Sequence, residues 1–238
     1  MNKIIFDLDD TLCNTYNIYN SRLIWAYHWS KNHGFAGSEK VFRKIFQKID
    51  IEGLRKDGAI TKTRFGCTIC DTVSFAIGRD LSPKEKKAID MVASSFKDEV
   101  PVLFPETNGV LSALREDGFT LFLYTSGETE MQRTKIEKLG IGNFFEKIVV
   151  TPLKTEETLR SNFPNREATI VIGNSPKFDL IPAIRNAMPA IQVEETPMWK
   201  FDHAHLPSGV TVPKVRLADV PNTVYAIAGS LSSHEVLS

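Results

Sequence analysis

Asp7, Asp9 and Asp10 crowd together directly behind the apolar residues Ile4, Ile5 and Phe6, and Thr11 follows them. A short apolar run reads as a buried strand. Carboxylates delivered to the end of such a strand are costly unless they pair with a cation or hold a metal. Further along the chain, other chemically capable residues also follow apolar runs. Thr125, Ser126 and Gly127 come after "FTLFLY", Lys154 after "KIVVT", and Gly173, Asn174, Ser175 and Asp179 after "ATIVIG". A hydroxyl and backbone N–H groups at a tight turn before a helix make an anion cradle. A lysine adds a point charge suited to phosphate. Carboxylates with few other ligands suit Mg²⁺, a hard cation that prefers oxygen and keeps several waters. An aspartate can then attack a phosphoryl group as a covalent nucleophile. A second acid two residues on lies on the same side of an extended strand end. It can protonate the leaving oxygen and later take a proton from water.

The elements that must position these residues are legible in the hydrophobic periodicity. After the first strand, helical stripes follow one another: Tyr16, Tyr19, Leu23, Ala26, Tyr27; then Val41, Phe42, Ile45, Phe46, Ile49; then Ile69, Val73, Ala76, Ile77. A fourth helix starts with Ser82 as N-cap, Pro83 at its first position and Glu85 completing a capping box. Its apolar face is Ile89, Val92, Ala93 and Phe96. Four helices in succession suggest a small bundle. "VPVLFPETNG" (100–109) reads as a linker, and beyond it strands and helices alternate. Strands are expected at 119–124, 147–151, 168–173 and 190–193, helices at 107–116 and in the segments between. A final helical stripe consists of Val220, Val224, Ile227, Ala228 and Leu231. Alternation with continuously apolar strands means a Rossmann-like parallel sheet covered on both faces, an α/β core with an inserted α-helical bundle. The expected domains are 1–13 with 105–238 for the core, and 14–104 for the helices. In such sheets ligands bind beyond the carboxyl ends of the strands. The acids, the Thr125–Gly127 turn and Lys154 should therefore meet at one rim.

The composition limits the alternatives. The 238 residues carry no net charge, with 42% hydrophobic and 24% charged residues, as in ordinary globular proteins. Nothing recommends nucleic acid or an anionic membrane as a partner. No apolar run approaches the roughly 20 residues needed to cross a bilayer. Acidic residues by position 7 argue against a signal peptide, and three cysteines suit a reducing compartment, so a cytoplasmic location is expected. Cys67 and Cys70 lack a second pair for a zinc site and read as neighbours on a helix. Arg64, between two of the helices, is nominated as a substrate contact, the alternative being an exposed loop cation.

"DLDDT" (7–11), "LYTSG" (123–127), Lys154 and "GNSPKFD" (173–179) resemble, in order, the four motifs of haloacid dehalogenase-like hydrolases. The helical stretch resembles the cap domain that this family inserts between its first two motifs, which would close over the rim and restrict substrates to small molecules. The resemblance implies Asp7 as nucleophile and Asp9 as general acid and base. It implies that Thr125, the Ser126–Gly127 backbone and Lys154 bind the transferring phosphoryl group. Asp7, the carbonyl of Asp9, Asn174 and Asp179 would hold Mg²⁺. The family commonly has aspartate at the position of Asn174; an amide oxygen still ligates Mg²⁺, with one negative charge fewer. Thr155 follows Lys154 where a proline is frequent. The expected function is a Mg²⁺-dependent phosphatase of a small phosphorylated metabolite, as monomer or homodimer. The alternatives are a haloacid dehalogenase, against which Asp9 speaks, and a non-catalytic sensor of a phosphate ligand.

Overall fold

The computed structural model describes residues 2–57, 63–95, 99–164, 168–199 and 202–235, with side chains of the last helix through Gly229. Its elements begin with β1 (Lys3–Phe6), β2 (Cys13–Asn14), α1 (Tyr16–Asn32), α2 (Glu39–Asp57), α3 (Arg64–Ile77), α4 (Pro83–Ser94) and β3 (Val102–Leu103). They continue with α5 (Thr107–Glu116), β4 (Thr120–Ser126), α6 (Thr129–Leu139), β5 (Lys147–Thr151) and α7 (Glu156–Asn162). Last come β6 (Thr169–Gly173), α8 (Ile181–Arg185), β7 (Ala190–Val193), β8 (Lys214–Val215) and α9 (Val220–Glu235). They form two compact units, Met1–Asn14 with Pro101–Ser238, and Thr15–Val100.

The first unit is a six-stranded sheet in the order β5-β4-β1-β6-β7-β8, parallel at every pairing. β1 lies in the middle because it is apolar on both faces. Ile4 and Phe6 pack into one cluster with Val110, Leu111 and Leu114 of α5, Ile136 of α6, and Val220 and Val224 of α9. Ile5 points to the opposite cluster, with Leu159 of α7 and Ala183 of α8. This is the alternation of an extended strand with both faces covered. Each fully buried Ile, Leu or Phe contributes roughly 1.5–3 kcal/mol of transfer free energy. The chain order reverses on either side of β1, and a crevice at the strand ends is expected at such a switch point.

Several elements differ from the sequence reading. β4 runs on through Thr125 and Ser126, so these two residues end a strand rather than begin a turn. β8 has only two residues, too few for a periodic signal. Part of the expected linker is β3, antiparallel to β2 through Cys13–Leu103 and Asn14–Val102. The helix expected at 107–116 is α5, which therefore takes in Asn108 and Gly109 from the end of the expected linker.

The second unit consists of α1 to α4. Its buried faces are narrower than the stripes suggested: α2 buries Phe42, Phe46, Asp50 and Leu54, while Val41 is exposed. The Ser82 hydroxyl accepts from the Glu85 N–H at 3.3 Å, and the Glu85 carboxylate accepts from the Ser82 N–H at 2.9 Å, closing the capping box. Cys70 is buried and Cys67 exposed, one turn apart on α3. Phe96 and the side chain of Leu231 lie outside the described residues.

The chain leaves the first unit at Asn14 and re-enters it at Pro101, and the β2–β3 pairing holds these points side by side. Replacing Thr15–Val100 with a short Gly/Ser linker should therefore leave a folded α/β unit, since a short loop adds little closure entropy. A single cooperative transition in scanning calorimetry is the expected result. Its absence would mean that the α/β unit requires the helices to fold.

Candidate active site

The residue after β1 is Asp7, whose N–H donates to the Ile172 carbonyl at 2.9 Å. The chain then makes a tight turn: the Leu12 N–H returns to the Leu8 carbonyl at 2.9 Å and the Asp10 N–H reaches the Cys13 carbonyl at 2.8 Å. Asp10 sits at φ +60°, a left-handed conformation that aspartate tolerates better than most residues. Thr11 is brought back on Asp7, and its hydroxyl donates to Asp7 Oδ2 at 2.9 Å. The same hydroxyl lies 3.5 Å from Asn174 Oδ1.

Lys154, three residues past β5, donates to Asp7 Oδ1 and, at 2.7 Å, to Asp179 Oδ1. All three side chains are buried. The Lys154 ammonium also lies 5.3 Å from the centre of the Tyr124 ring, a cation–π distance. Asp179 is held from the other side by the Ser175 N–H, which donates to its Oδ2 at 2.9 Å. Gly173 permits this approach, because a side-chain carbon there would overlap the Asp179 carboxylate. Burial raises the Asp7 carboxyl; Lys154 opposes the rise while Asp179 and Asp9 add to it, to about 7. Burial also opposes the charge on Lys154, but Asp179 and Asp7 outweigh it and hold the ammonium above its ordinary range.

Asp9 is more open than Asp7 and makes different bonds. Lys135 Nζ donates to its Oδ1 at 2.6 Å and Gln132 Nε2 to its Oδ2 at 2.8 Å, both from α6. At the end of β4, Thr125 is buried and Gly127 has φ +138°, a conformation that disfavours any side chain. Ser126 Oγ is buried without a hydrogen bond among the described residues, a polar atom left for a ligand to satisfy.

Asp7, Asp9, Thr125, Ser126, Gly127, Lys154, Asn174 and Asp179 thus belong to one unit and lie at or just beyond the ends of β1, β4, β5 and β6. Arg64 belongs to the helical unit. It is neither a free cation nor an exposed one, since its Nη1 donates to the Asp50 carboxylate at 2.5 Å and the Asp50 carbonyl at 3.0 Å.

Three site residues escaped the sequence reading. Gln132 and Lys135 are spaced one helical turn apart on α6, which follows the end of β4, a signal that was available. Asp202 was not foreseeable, because it lies in irregular chain beyond β7. It is buried, and Ser175 donates its hydroxyl to Asp202 Oδ1 at 2.8 Å. Burial raises its carboxyl to about 8, with the Ser175 hydrogen bond opposing and the charges of Asp179, Asp10 and Asp7 adding.

The oxygens gathered here, the Asp7 and Asp179 carboxylates and the Asn174 amide, are of the kind that would suit a hard divalent cation. With Lys154 bonded to both acids, the buried trio keeps one formal negative charge. Among the described residues no three Asp, Glu, His or Cys side chains come together as a group that could hold a metal ion, so a cation here would also draw on the Asn174 amide and on water.

The model of one family, the haloacid dehalogenase-like hydrolases, matches residues 4–193. The chain belongs to the haloacid dehalogenase-like hydrolases. It is 26% identical over 210 residues to a glyceraldehyde 3-phosphate phosphatase from Methanothermobacter thermautotrophicus, covering 81% of this chain and 85% of that one. A haloacid dehalogenase-like hydrolase from Xanthomonas campestris shares the fold with TM-score 0.79 and 16% identity, over 98% of both chains. A putative hydrolase of this family from Bacillus subtilis, solved with magnesium bound, matches with TM-score 0.67 and 14% identity, over 94% of this chain and 98% of that one. Among the described residues no helix is long and apolar enough to cross a membrane.

For this hydrolase, Asp202 links pH to stability. The folded protein keeps its proton to about pH 8, whereas the ordinary carboxyl releases it near 3.8. Between these values the folded state binds more protons than the unfolded one, so this stabilisation is complete at low pH and lost as pH rises to about 8. Asp202→Asn keeps an acceptor for Ser175 and removes the titration. The difference in unfolding free energy between the two proteins should change by at most about 1.4 kcal/mol per pH unit across this window. Urea melts at several pH values check it, and parallel curves would show that Asp202 is ionised throughout.

Proposed function

We propose that this hydrolase is a Mg²⁺-dependent phosphomonoesterase of small phosphorylated metabolites, working through an aspartyl-phosphate on Asp7. One observation carries the reading: the Asp7 carboxylate is fixed through one oxygen by Lys154 and through the other by Thr11, with a second acid, Asp9, two residues on. Bound this way, Asp7 would be a buried and firmly oriented nucleophile.

In this reading Thr125 and the backbone of the Ser126–Gly127 turn receive the phosphoryl oxygens, and Lys154 balances their charge. An Asp7 oxygen forms a bond to phosphorus as the ester P–O bond breaks. Protonated Asp9 gives its proton to the leaving alkoxide. The Asp9 carboxylate then takes a proton from water, whose oxygen attacks phosphorus, breaking the acyl phosphate and restoring Asp7. Mg²⁺, held by Asp7, Asp179, Asn174 and the Asp9 carbonyl, would supply positive charge beside the phosphoryl oxygens. Asp9 disfavours the dehalogenase alternative, which has no leaving alkoxide to protonate. The small substrate is supported by the curated relative, and by helices inserted where the family places a cap. Arg64 is left out of the substrate contacts because it is bonded to Asp50.

The test is phosphate release from an aryl phosphate and from glyceraldehyde 3-phosphate, with Mg²⁺ and with EDTA. Activity with Mg²⁺ that EDTA abolishes is expected. Asp7→Asn should fold like the parent and lose turnover, because an amide cannot attack phosphorus. An Asp7→Asn protein that keeps appreciable turnover would remove Asp7 as nucleophile. A parent protein that binds phosphate without turning over any ester would favour the sensor reading, for which the missing charge at Asn174 speaks.

Asn174→Asp restores that charge. Repulsion from Asp7 and Asp179 offsets part of the gain, and Mg²⁺ binding by calorimetry should tighten about tenfold, about 1.4 kcal/mol. An unchanged dissociation constant would place Asn174 outside the metal shell.

A further inference from the structure

α6 carries two side chains that converge on the acid at position 9. Lys135 holds one carboxylate oxygen at 2.6 Å and Gln132 the other at 2.8 Å. They are three residues apart, hence neighbours on one helix face. The Gln132 amide also donates to the Ser126 carbonyl at 2.6 Å and lies 3.2 Å from Thr125 Oγ1. One NH₂ group with two hydrogens therefore serves three acceptors, from the loop after β1 and from the end of β4. Gln132 is 1% exposed, and its own carbonyl oxygen has no partner among the described residues. The opposite amide orientation would turn that oxygen toward the Asp9 carboxylate and the Ser126 carbonyl, which can only accept, so the bonds themselves fix the assignment. Gly127 makes room: a side-chain carbon there would lie 3.2 Å from Gln132 Cγ and Nε2.

Resting on the phosphomonoesterase reading above, we propose that Gln132 and Lys135 are positioning residues of the reaction. They hold the Asp9 carboxyl in the place from which it serves the leaving oxygen, and Gln132 ties that place to Thr125. A carboxylate after a strand end has two free torsions, and its orientation decides whether proton transfer is in reach. Lys135 and Gln132 grip both oxygens and remove that freedom. By donating to Thr125 Oγ1, Gln132 also leaves the threonine's own hydrogen to donate to a phosphoryl oxygen. Neither residue forms or breaks a bond in the reaction.

The test measures Lys135→Met, Gln132→Met, Asp9→Asn and the double variant Asp9→Asn/Lys135→Met at saturating Mg²⁺. Each is assayed on p-nitrophenyl phosphate, whose leaving group needs little protonation, and on glycerol 3-phosphate, whose alkoxide needs much. Lys135→Met should lower kcat on the alkyl ester about tenfold or more, and on the aryl ester by far less, with KM little changed, because proton donation is worth about 10² to 10⁴-fold. In the Asp9→Asn background the same substitution should add no further loss. Lys135→Arg should recover part of the activity. Gln132→Met should show the same selectivity and also raise KM for both esters, through Thr125. Equal losses on both esters, or a loss that persists without the Asp9 acid, would show that α6 only braces the fold and would overturn the inference. So would variants indistinguishable from an active parent. A parent that hydrolyses neither ester would overturn the phosphomonoesterase reading itself. If Gln132→Met does not fold, the partly exposed Lys135 carries the test alone.

Discussion

Lys154 places its ammonium between Asp7 and Asp179, where all three groups are buried and each carboxylate lies on a different strand's loop. Moving such ions out of water costs several kcal/mol each, and mutual attraction offsets this only when the hydrogen bonds are well made. Here they are: Thr11 and the Ser175 N–H complete the acids, and the Tyr124 ring faces the ammonium. Removing one member of a buried pair typically costs about 3–5 kcal/mol, because the remaining charge is stranded. The ends of β1, β5 and β6 are therefore bound together through one cation. The sheet brings these strand ends to one side of the molecule, and the ion triad fixes their side chains there.

That triad also explains the glycine after β6. Asp179 reaches back across Gly173, where no side chain fits, so that its carboxylate can meet both Lys154 and the Ser175 N–H. Ser175 in turn bonds Asp202, which comes from a distant part of the chain. A neutral amide at Asn174 beside the Asp7 and Asp179 carboxylates lowers the repulsion within this group, and it also lowers the charge available to a cation.

The α/β character of the fold was legible because the longer strands carry continuous apolar runs and the motif residues come at or just after the ends of those runs. Asp7 and Lys154 could be placed by counting from the ends of their strands. β8 and the β2–β3 pair were not legible, since two residues carry no period. Val41 was misassigned to a buried stripe: α2 buries every fourth residue from Phe42, including Asp50, whose partner is Arg64. That pairing also removes the alternative reading of Arg64 as an exposed loop cation. A buried cation and an exposed one look alike in sequence when the partner lies on another helix. Asp202 escaped for the same reason, its importance arising only from burial against Ser175.

Asp7 and Asp9 are two residues apart, yet their surroundings differ in kind. Asp7 is almost wholly buried, and its cation, Lys154, is shared with a second acid. Asp9 keeps more than a quarter of its side chain exposed, and its cation, Lys135, comes from the helix after β4. A shared, buried cation immobilises the first carboxylate, which under the proposed mechanism would suit a nucleophile. A partly exposed one leaves the second accessible to water, which would suit the proposed proton transfer. Neighbouring carboxylates are given different roles by environment in many acid–base sites. Here the difference in surroundings arises from topology. Lys154 comes from the loop after β5 and Lys135 from the helix after β4, so two different crossover connections meet one short loop after β1 and give each acid its own cation.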